Sequence, residues 1–378
     1  MTERRAIALA AGGTGGHLFP AEALARALAD RGHRVVLVTD RRGLAWAGRI
    51  PAETVVEVPA ATLSGGLAAK AGAGLTILKG IVQARSSLKV TGAVAVVGFG
   101  GYPSFPACAA AAMLRLPLVL HEQNAILGRT NRALSRLAHI LAVSHPETAG
   151  IPQQVHARVR HVGNPVRPEI AEAATPYGAP DPGSPIRLLV IGGSQGAQAL
   201  TEAVPKALAG LSADVRARLR VTMQARAEGL EHARATLADA GIGADVAPFF
   251  DRMGERLAAA HLVIARSGAS TVAELAVAGR PSILVPLPSA MDDQQTLNAK
   301  ALEQAGGAVL LPQSRLDTLG EALAELLAST NRLQAMATAA SAQGAPHAAD
   351  ALADLVETLA DGATPAPAAA PIPREGRA

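Results

Sequence analysis

The stretch Ala6-Ile7-Ala8-Leu9-Ala10-Ala11-Gly12-Gly13-Thr14-Gly15-Gly16-His17 decides the fold. Its first residues are apolar without alternation, the pattern of a strand covered on both faces in a parallel sheet. Glycines follow at once, so the chain turns tightly. Pro20–Asp30 then reads as a helix, with proline in its first turn and Gly32 just past its end. Strand, glycine turn and helix in that order open a doubly wound α/β domain. The bare backbone of such a turn approaches an anion closely, and the helix behind it aims free N–H groups at the same place. A diphosphate suits that position.

Outward from this stretch the alternation continues. Arg34–Thr39, Thr54–Val58, Ala93–Gly98, Pro117–His121 and His139–Val143 read as strands, with helical stretches between most of them. Ala171–Pro185 breaks the rhythm with Pro176, Pro180, Pro182 and Pro185, and reads as an interdomain linker. The theme then restarts with a strand at Arg187–Ile191, a glycine turn at Gly192–Gly196 and a helix at Ala197–Leu211. Strands at Arg220–Gln224, Leu262–Ala265, Ser282–Val285 and Ala308–Leu311 follow. Two such openings predict two Rossmann-like domains, residues 1–165 and 166–345, rather than one large sheet. Ala349–Leu359 is a helix long enough to dock back on the first domain, and Asp361–Ala378 is a Pro/Ala tail expected to be disordered.

The 378 residues are 49% hydrophobic and 17% charged, enough apolar material for two cores. The only cysteine, Cys108, excludes an intrachain disulfide framework and a thiolate zinc cluster. Within the apolar run Ala107–Met113 it reads as a small buried hydrophobe. Met1–Arg5 carries no secretory signal, and no stretch supplies the roughly 18 apolar residues of a spanning helix, so a cytosolic protein is expected. A net charge of +4 is compatible with a phosphate-bearing substrate, an anionic membrane or nucleic acid. With aromatics at 2% there are few stacking platforms, and no zinc-finger or basic-zipper pattern is present, which argues against nucleic acid.

Several motifs carry chemistry. Gly13-Thr14-Gly15 opens a dinucleotide fingerprint, but Leu18 stands at its third glycine, and Asp40 near the second strand's end is followed by Arg41 and Arg42. A nicotinamide cofactor is therefore disfavoured. His17, at the mouth of the turn, can serve as general base or bind the phosphate. Gly98-Phe99-Gly100-Gly101-Tyr102-Pro103 is a tight turn or a substrate loop. His121-Glu122-Gln123-Asn124 places four polar residues behind an apolar strand, a costly arrangement unless they face a cleft; Glu122 can act as base or orient one. In the second half, Gly192-Gly193-Ser194-Gln195-Gly196 can cradle another phosphate, with the Ser194 hydroxyl as donor. Arg167, in Gly163-Asn164-Pro165-Val166-Arg167, is a charged fork for a phosphate or a solvated surface arginine. Arg266–Glu274 opens a helix with small residues, and Glu274 suits either the helix dipole or a pair of ribose hydroxyls. Asp292 and Asp293 are adjacent rather than spaced as Asp-x-Asp. With two helix N-termini and Arg167 available for phosphate charge, neither a metal nor a cofactor is expected.

Taken together, Gly12–Pro20, His121–Asn124, Gly163–Arg167, Gly192–Ala197, Arg266–Glu274 and Gln294–Gln295 resemble, in order and spacing, the bacterial MurG family, over about residues 5 to 345. That family is the UDP-N-acetylglucosamine:undecaprenyl-diphospho-muramoyl-pentapeptide N-acetylglucosaminyltransferase. The resemblance implies a GT-B fold, two Rossmann-like domains facing a cleft. It also implies an inverting β-1,4 transfer from UDP-GlcNAc onto lipid I, giving lipid II at the cytosolic face of the bacterial inner membrane. By the family's pattern Ser194 and Arg167 contact the diphosphate. Ala269, Ser270, Thr271, Val272, Ala273 and Glu274 hold ribose and phosphate, with Glu274 on the ribose. Gln294, Gln295 and Asn124 contact the sugar, while Thr14, Gly15 and Gly16 lie near the acceptor diphosphate. Phe250 lines the uracil site; it stands where the family carries a smaller aliphatic residue, so a backbone contact is expected there.

An inverting transfer needs a base at the acceptor hydroxyl; His17 is the first choice and Glu122 the second, both expected on the first domain. A lipid-anchored acceptor also requires membrane contact. Leu63–Lys89 places Leu75, Leu78 and Val82 on one helical face, with Lys79 and Arg85 towards others, as an interfacial helix on an anionic membrane requires; the other reading is a core-facing amphipathic helix. Remaining readings are a transferase for a soluble acceptor, a UDP-sugar epimerase and a non-catalytic nucleotide-sugar-binding partner.

Overall fold

The structure, a computed structural model, describes residues 4–13, 15–62, 66–193 and 196–363. The chain divides into two compact units. One runs to Pro165 and takes up the chain again at His347; the other is Val166–Pro346.

The first unit holds seven strands: β1 (Ala6–Ala10), β2 (Arg34–Thr39), β3 (Thr54–Glu57), β4 (Ala93–Gly98), β5 (Leu118–Glu122), β6 (Ile140–Val143) and β7 (Val159–His161). They pair in parallel in the order β3-β2-β1-β4-β5-β6-β7. Between β1 and β4 the winding direction reverses, and ligands of such sheets bind outside the strand ends at that reversal. Two apolar clusters cover the two faces, one built on Ile7, Leu9, Leu37 and Val97, the other on Ala8, Val36, Val96 and Leu120. Successive residues of one strand thus point into opposite cores, which explains why these strands read as unbroken apolar runs. Cys108 sits fully buried against β4, its thiol pushed up to about 12 by burial, and behaves as packing.

The helix Ala348–Ala360 closes this unit, burying Leu352, Ala353 and Val356 in the cluster beneath the Gly15–Asp30 helix. Arg31 fixes its register through Asp350 (3.0 Å), Asp354 (2.6 Å) and Glu357 (2.8 Å), and His33 bonds Glu357 at 2.7 Å. Residues 364–378, expected as a tail, lie outside the described residues.

The second unit holds β8 (Ile186–Ile191), β9 (Leu219–Gln224), β10 (Gly243–Ala247), β11 (Leu262–Ala265), β12 (Ser282–Leu284) and β13 (Ala308–Leu310), all parallel, in the order β10-β9-β8-β11-β12-β13. Its reversal falls between β8 and β11. Ala171–Pro185 is not a linker between the units. It lies inside the second one, where Tyr177 donates its hydroxyl to the His261 carbonyl (3.0 Å) and the buried Arg280 donates to the Thr175 carbonyl (3.1 Å). Prolines made this stretch irregular, but these bonds tie it to the short connections that lead into β11 and β12.

In the Leu67–Val90 helix, Gly80, Ala84 and Leu88 form the buried stripe, spaced four residues apart. Leu75 (63% exposed), Leu78 (57%) and Val82 (63%) project away from it, so the core-facing reading of these three does not hold. Residues 63–65, at the start of the region read as interfacial, lie outside the described residues. Among the described residues no helix is long and apolar enough to cross a membrane.

Candidate functional site

The helix after β1 begins at Gly15 rather than Pro20, which places His17 in its first turn. Pro20 is accommodated because its missing N–H removes only a bond to the start of the helix. Asp40, at the end of β2, holds the glycine turn: its carboxylate accepts from the Gly13 N–H (3.1 Å), the Gly43 N–H (3.0 Å) and the Tyr102 hydroxyl (2.9 Å). A Cβ on Gly12 would stand 2.6 Å from Asp40 Oδ1, so that close approach requires glycine. Asp40 thus organises the turn and is not a ribose ligand. Its role was hidden because two of its three partners, the Gly13 N–H and the Tyr102 hydroxyl, lie 27 and 62 residues away.

His17 Nδ1 is hydrogen-bonded to Gln123 Oε1 at 3.1 Å. Its Nε2 has no hydrogen-bond partner among the described residues, and the Gly100-Gly101 turn lies beside it. Both glycines have positive φ (82° and 68°), and a Cβ on Gly101 would come within 3.0 Å of His17 Nε2. The turn after β4 therefore keeps a side chain off the imidazole.

The polar run at the end of β5 does not lie open. His121, Glu122 and Gln123 are all buried, and each is satisfied internally. Glu122 Oε1 accepts from the Asn124 N–H (3.1 Å) and Asn124 Nδ2 (3.0 Å), while Oε2 accepts from the Gly128 N–H (2.9 Å) and Asn131 Nδ2 (2.9 Å). Four donors occupy this carboxylate, which holds the 124–128 loop closed. Gln123 Nε2 donates to His121 Nδ1 (3.0 Å) and to the His121 carbonyl (3.0 Å), and His121 Nε2 donates to the Gly163 carbonyl (3.0 Å). Burial pushes His121 down to about 4, so it is neutral at physiological pH. Among the residues read from sequence, the first unit thus brings His17, Gly15, Gly16, Glu122 and Asn124 to the carboxyl ends of the interior strands β1 and β5. Thr14 and Ser194 lie outside the described residues.

The second unit repeats the plan. Gln224, at the end of β9, accepts from the Gly192 N–H (3.0 Å) and donates to the Gly193 carbonyl (3.2 Å), the counterpart of Asp40. A Cβ on Gly192 would meet the Ala197 nitrogen at 2.5 Å. The helix Ala269–Ala278 starts just beyond β11, with no acidic residue in its first turn to compete for its N–H groups. Ala269 and Val272 are buried, while Ser270, Thr271 and Ala273 are half-buried. Glu274 and Arg167, both read as donor ligands, pair with each other: Nε to Oε1 at 2.8 Å and NH2 to Oε2 at 3.1 Å, a bidentate fork that is largely buried. Arg167 also reaches Glu169 at 3.1 Å, so it is not the solvated surface arginine that sequence allowed. Gln295 Oε1 accepts the Leu287 N–H (3.0 Å), leaving its NH2 group as a donor, and Gln294 begins the same helix, Gln294–Gln304. The Phe250 side chain is buried with the Arg256 guanidinium 4.2 Å from its ring centroid; the neighbouring Phe249 is the exposed one.

Two glycine turns at two sheet reversals, each pinned by a polar side chain from the neighbouring strand, describe a pair of Rossmann-like units. Residues 7–143 match the glycosyltransferase family 28 N-terminal domain, and residues 187–352 match its C-terminal domain. A Rhodospirillum centenum protein named UDP-N-acetylglucosamine--N-acetylmuramyl-(pentapeptide) pyrophosphoryl-undecaprenol N-acetylglucosamine transferase is 53% identical over 353 residues, 93% of each chain. The chain belongs to the MurG family of glycosyltransferases. A Phenylobacterium zucineum protein of the same name is 49% identical, covering 95% of this chain and 100% of its own. Among solved structures, MurG of Acinetobacter baumannii superposes with a TM-score of 0.75 at 32% identity, over 94% of this chain and 99% of that one. The calicheamicin glycosyltransferase CalG4, with a TM-score of 0.63 at 18% identity over 96% of this chain and 100% of its own, shares the fold alone. The architecture is GT-B.

Proposed function

We propose that this chain transfers N-acetylglucosamine from UDP-N-acetylglucosamine to the 4-hydroxyl of the muramoyl sugar of lipid I, giving lipid II with inversion at the anomeric carbon. The observation that carries this reading is identity of about half the residues with the named transferases along nearly the whole of both chains. In one displacement the acceptor oxygen bonds to the anomeric carbon as the bond to the UDP oxygen breaks, its electron pair leaving with UDP. The acceptor proton passes to His17 Nε2, the ring nitrogen that carries no partner among the described residues.

The second unit is the donor site in this reading. The Gly192–Gly196 turn with Ser194, the N-terminus of Ala269–Ala278 and Arg167 take the diphosphate and stabilise the leaving UDP. Glu274 accepts from the ribose hydroxyls, Gln294, Gln295 and Asn124 contact the sugar, and the Phe250 backbone meets uracil. Thr14, Gly15 and Gly16 face the acceptor diphosphate. Glu122, with four donors on its carboxylate, positions Asn124 and leaves proton transfer to His17.

The protein works at the cytoplasmic face of the inner membrane as a peripheral protein. Leu75, Leu78 and Val82, with Lys79 and Arg85 on flanking faces, form the contact. Each of these apolar side chains gains about 1–2 kcal/mol on leaving water for the interface, and the cations add attraction to anionic headgroups. The test is incubation of purified protein with radiolabelled UDP-N-acetylglucosamine and a lipid I analogue, with and without EDTA. Label entering the lipid fraction in both supports a metal-independent transferase. A soluble glycoside or an epimerised sugar nucleotide moves the assignment to another enzyme of this fold, and binding without turnover makes the chain a silent partner.

A further inference from the structure

The residues behind His17 form one directed chain of hydrogen bonds, and its direction is fixed by groups that have no choice. The Gly163 carbonyl can only accept, so His121 Nε2 must carry the proton it donates across 3.0 Å. The ring is buried and neutral, so its Nδ1 is then a bare lone pair. Gln123 faces that lone pair and the His121 carbonyl, both acceptors, at 3.0 Å each. Only its NH2 group can satisfy both, which turns Oε1 towards His17 Nδ1, 3.1 Å away. An amide oxygen accepts and does not donate. His17 Nδ1 must therefore hold the proton of the neutral ring, and Nε2 is left with the lone pair.

We propose that Gln123 and His121, anchored on the Gly163 carbonyl, are positioning residues that lock His17 in the Nδ1–H tautomer and so present Nε2 as the proton acceptor of the transfer. Without such a partner neutral imidazole in water favours the opposite form, with the proton on the nitrogen that has to accept one. The Asn131 side chain reinforces the anchor by donating to the same His121 carbonyl at 3.1 Å, and the Phe99 ring packs against the His121 imidazole at 5.8 Å between centroids. Gly163 itself has φ +82°, the backbone turn that delivers its carbonyl to His121 just before the chain leaves the first unit at Pro165. This explains why a strand ending in polar residues is buried: the polar atoms are spent on one another to set a proton position. The inference rests on His17 being the base.

The test uses protein labelled with 15N-histidine, with long-range proton–nitrogen correlation spectra recorded at mildly alkaline pH and His17 assigned from a His17→Ala spectrum. The expected result is a pyrrole-type nitrogen at His17 Nδ1 and a pyridine-type nitrogen at Nε2, with the reverse pattern at His121. A wild-type spectrum with the proton on His17 Nε2 overturns the lock, whatever His17 does in catalysis. Gln123→Met removes both hydrogen-bonding functions at similar volume. It should shift His17 towards the Nε2–H form and lower kcat roughly 10-fold, the factor associated with one lost hydrogen bond, with donor KM unchanged. In a His17→Ala background the same substitution should change kcat less than about twofold, since a positioning residue has nothing left to position. An equal loss in both backgrounds would mean a merely structural role and refute the proposal. Full activity of His17→Ala alongside the expected wild-type spectrum would instead remove the base assignment while leaving the tautomer established.

Discussion

Changing Glu122 to glutamine keeps the volume and shape of the side chain but removes half of what it holds. The carboxylate accepts four N–H donors, two on each oxygen. An amide keeps one oxygen with its two donors and turns an NH2 group towards the other two. Two hydrogen bonds to a charged acceptor are lost, each worth about 1.5–3 kcal/mol, so the first unit should lose about 3–6 kcal/mol. At about 2–4 °C per kcal/mol for a unit of this size, its unfolding midpoint should fall by roughly 6–24 °C. Differential scanning calorimetry reads the midpoint, and kcat is measured well below the variant's transition. A Glu122→Gln protein that melts like wild type while kcat falls about 100-fold or more would identify a general base and refute the positioning role.

Three further outcomes follow from the same geometry. Gly101→Ala puts a methyl group 3.0 Å from His17 Nε2 on a backbone with φ +68°; kcat should fall about 10-fold, with about 1–2 kcal/mol of destabilisation in denaturant titrations. Arg167→Ala leaves the buried Glu274 carboxylate without its bidentate partner; urea unfolding should register about 3–5 kcal/mol lost, and the donor KM should rise. His121 is pushed down to about 4 by burial from an ordinary value of 6.5, so below pH 6.5 the unfolded chain takes up a proton that the folded one refuses. Stability of the first unit should therefore decline as pH falls from about 6.5 to about 4, by on the order of 3 kcal/mol from this residue, and His121→Phe should lose that share of the slope.

Much of the fold was legible because buried parallel strands announce themselves as unbroken apolar runs, and glycines mark where each turn meets its helix. The strands that escaped were β7, Val-Arg-His, and β10, Gly-Ala-Asp-Val-Ala. Both are edge strands with much of their surface exposed, so polar residues carry no penalty there and the apolar signal is absent. The Pro-rich Ala171–Pro185 misled for the converse reason: composition shows irregular backbone but not the Tyr177 and Arg280 bonds that tie it down. At the site, residue types pointed to His17, Glu122, Arg167 and Glu274 without showing their pairings. The Arg167–Glu274 fork spans 107 positions and His17–Gln123 spans 106, distances over which sequence carries no local signal. Gln224 was read only as the end of a strand and Asp40 only against a dinucleotide pattern, and neither reading showed that they pin the two glycine turns.

The most direct test of the central assignment is turnover of wild-type and His17→Ala protein with saturating UDP-N-acetylglucosamine and a lipid I analogue, scored as disaccharide-bearing lipid product. The expected result is lipid II formation by the wild type and a loss of about 100-fold to 10,000-fold in kcat for the variant, with donor KM and melting midpoint unchanged. A wild-type protein that binds the donor but yields no lipid product, or a variant that turns over at the wild-type rate, would contradict it.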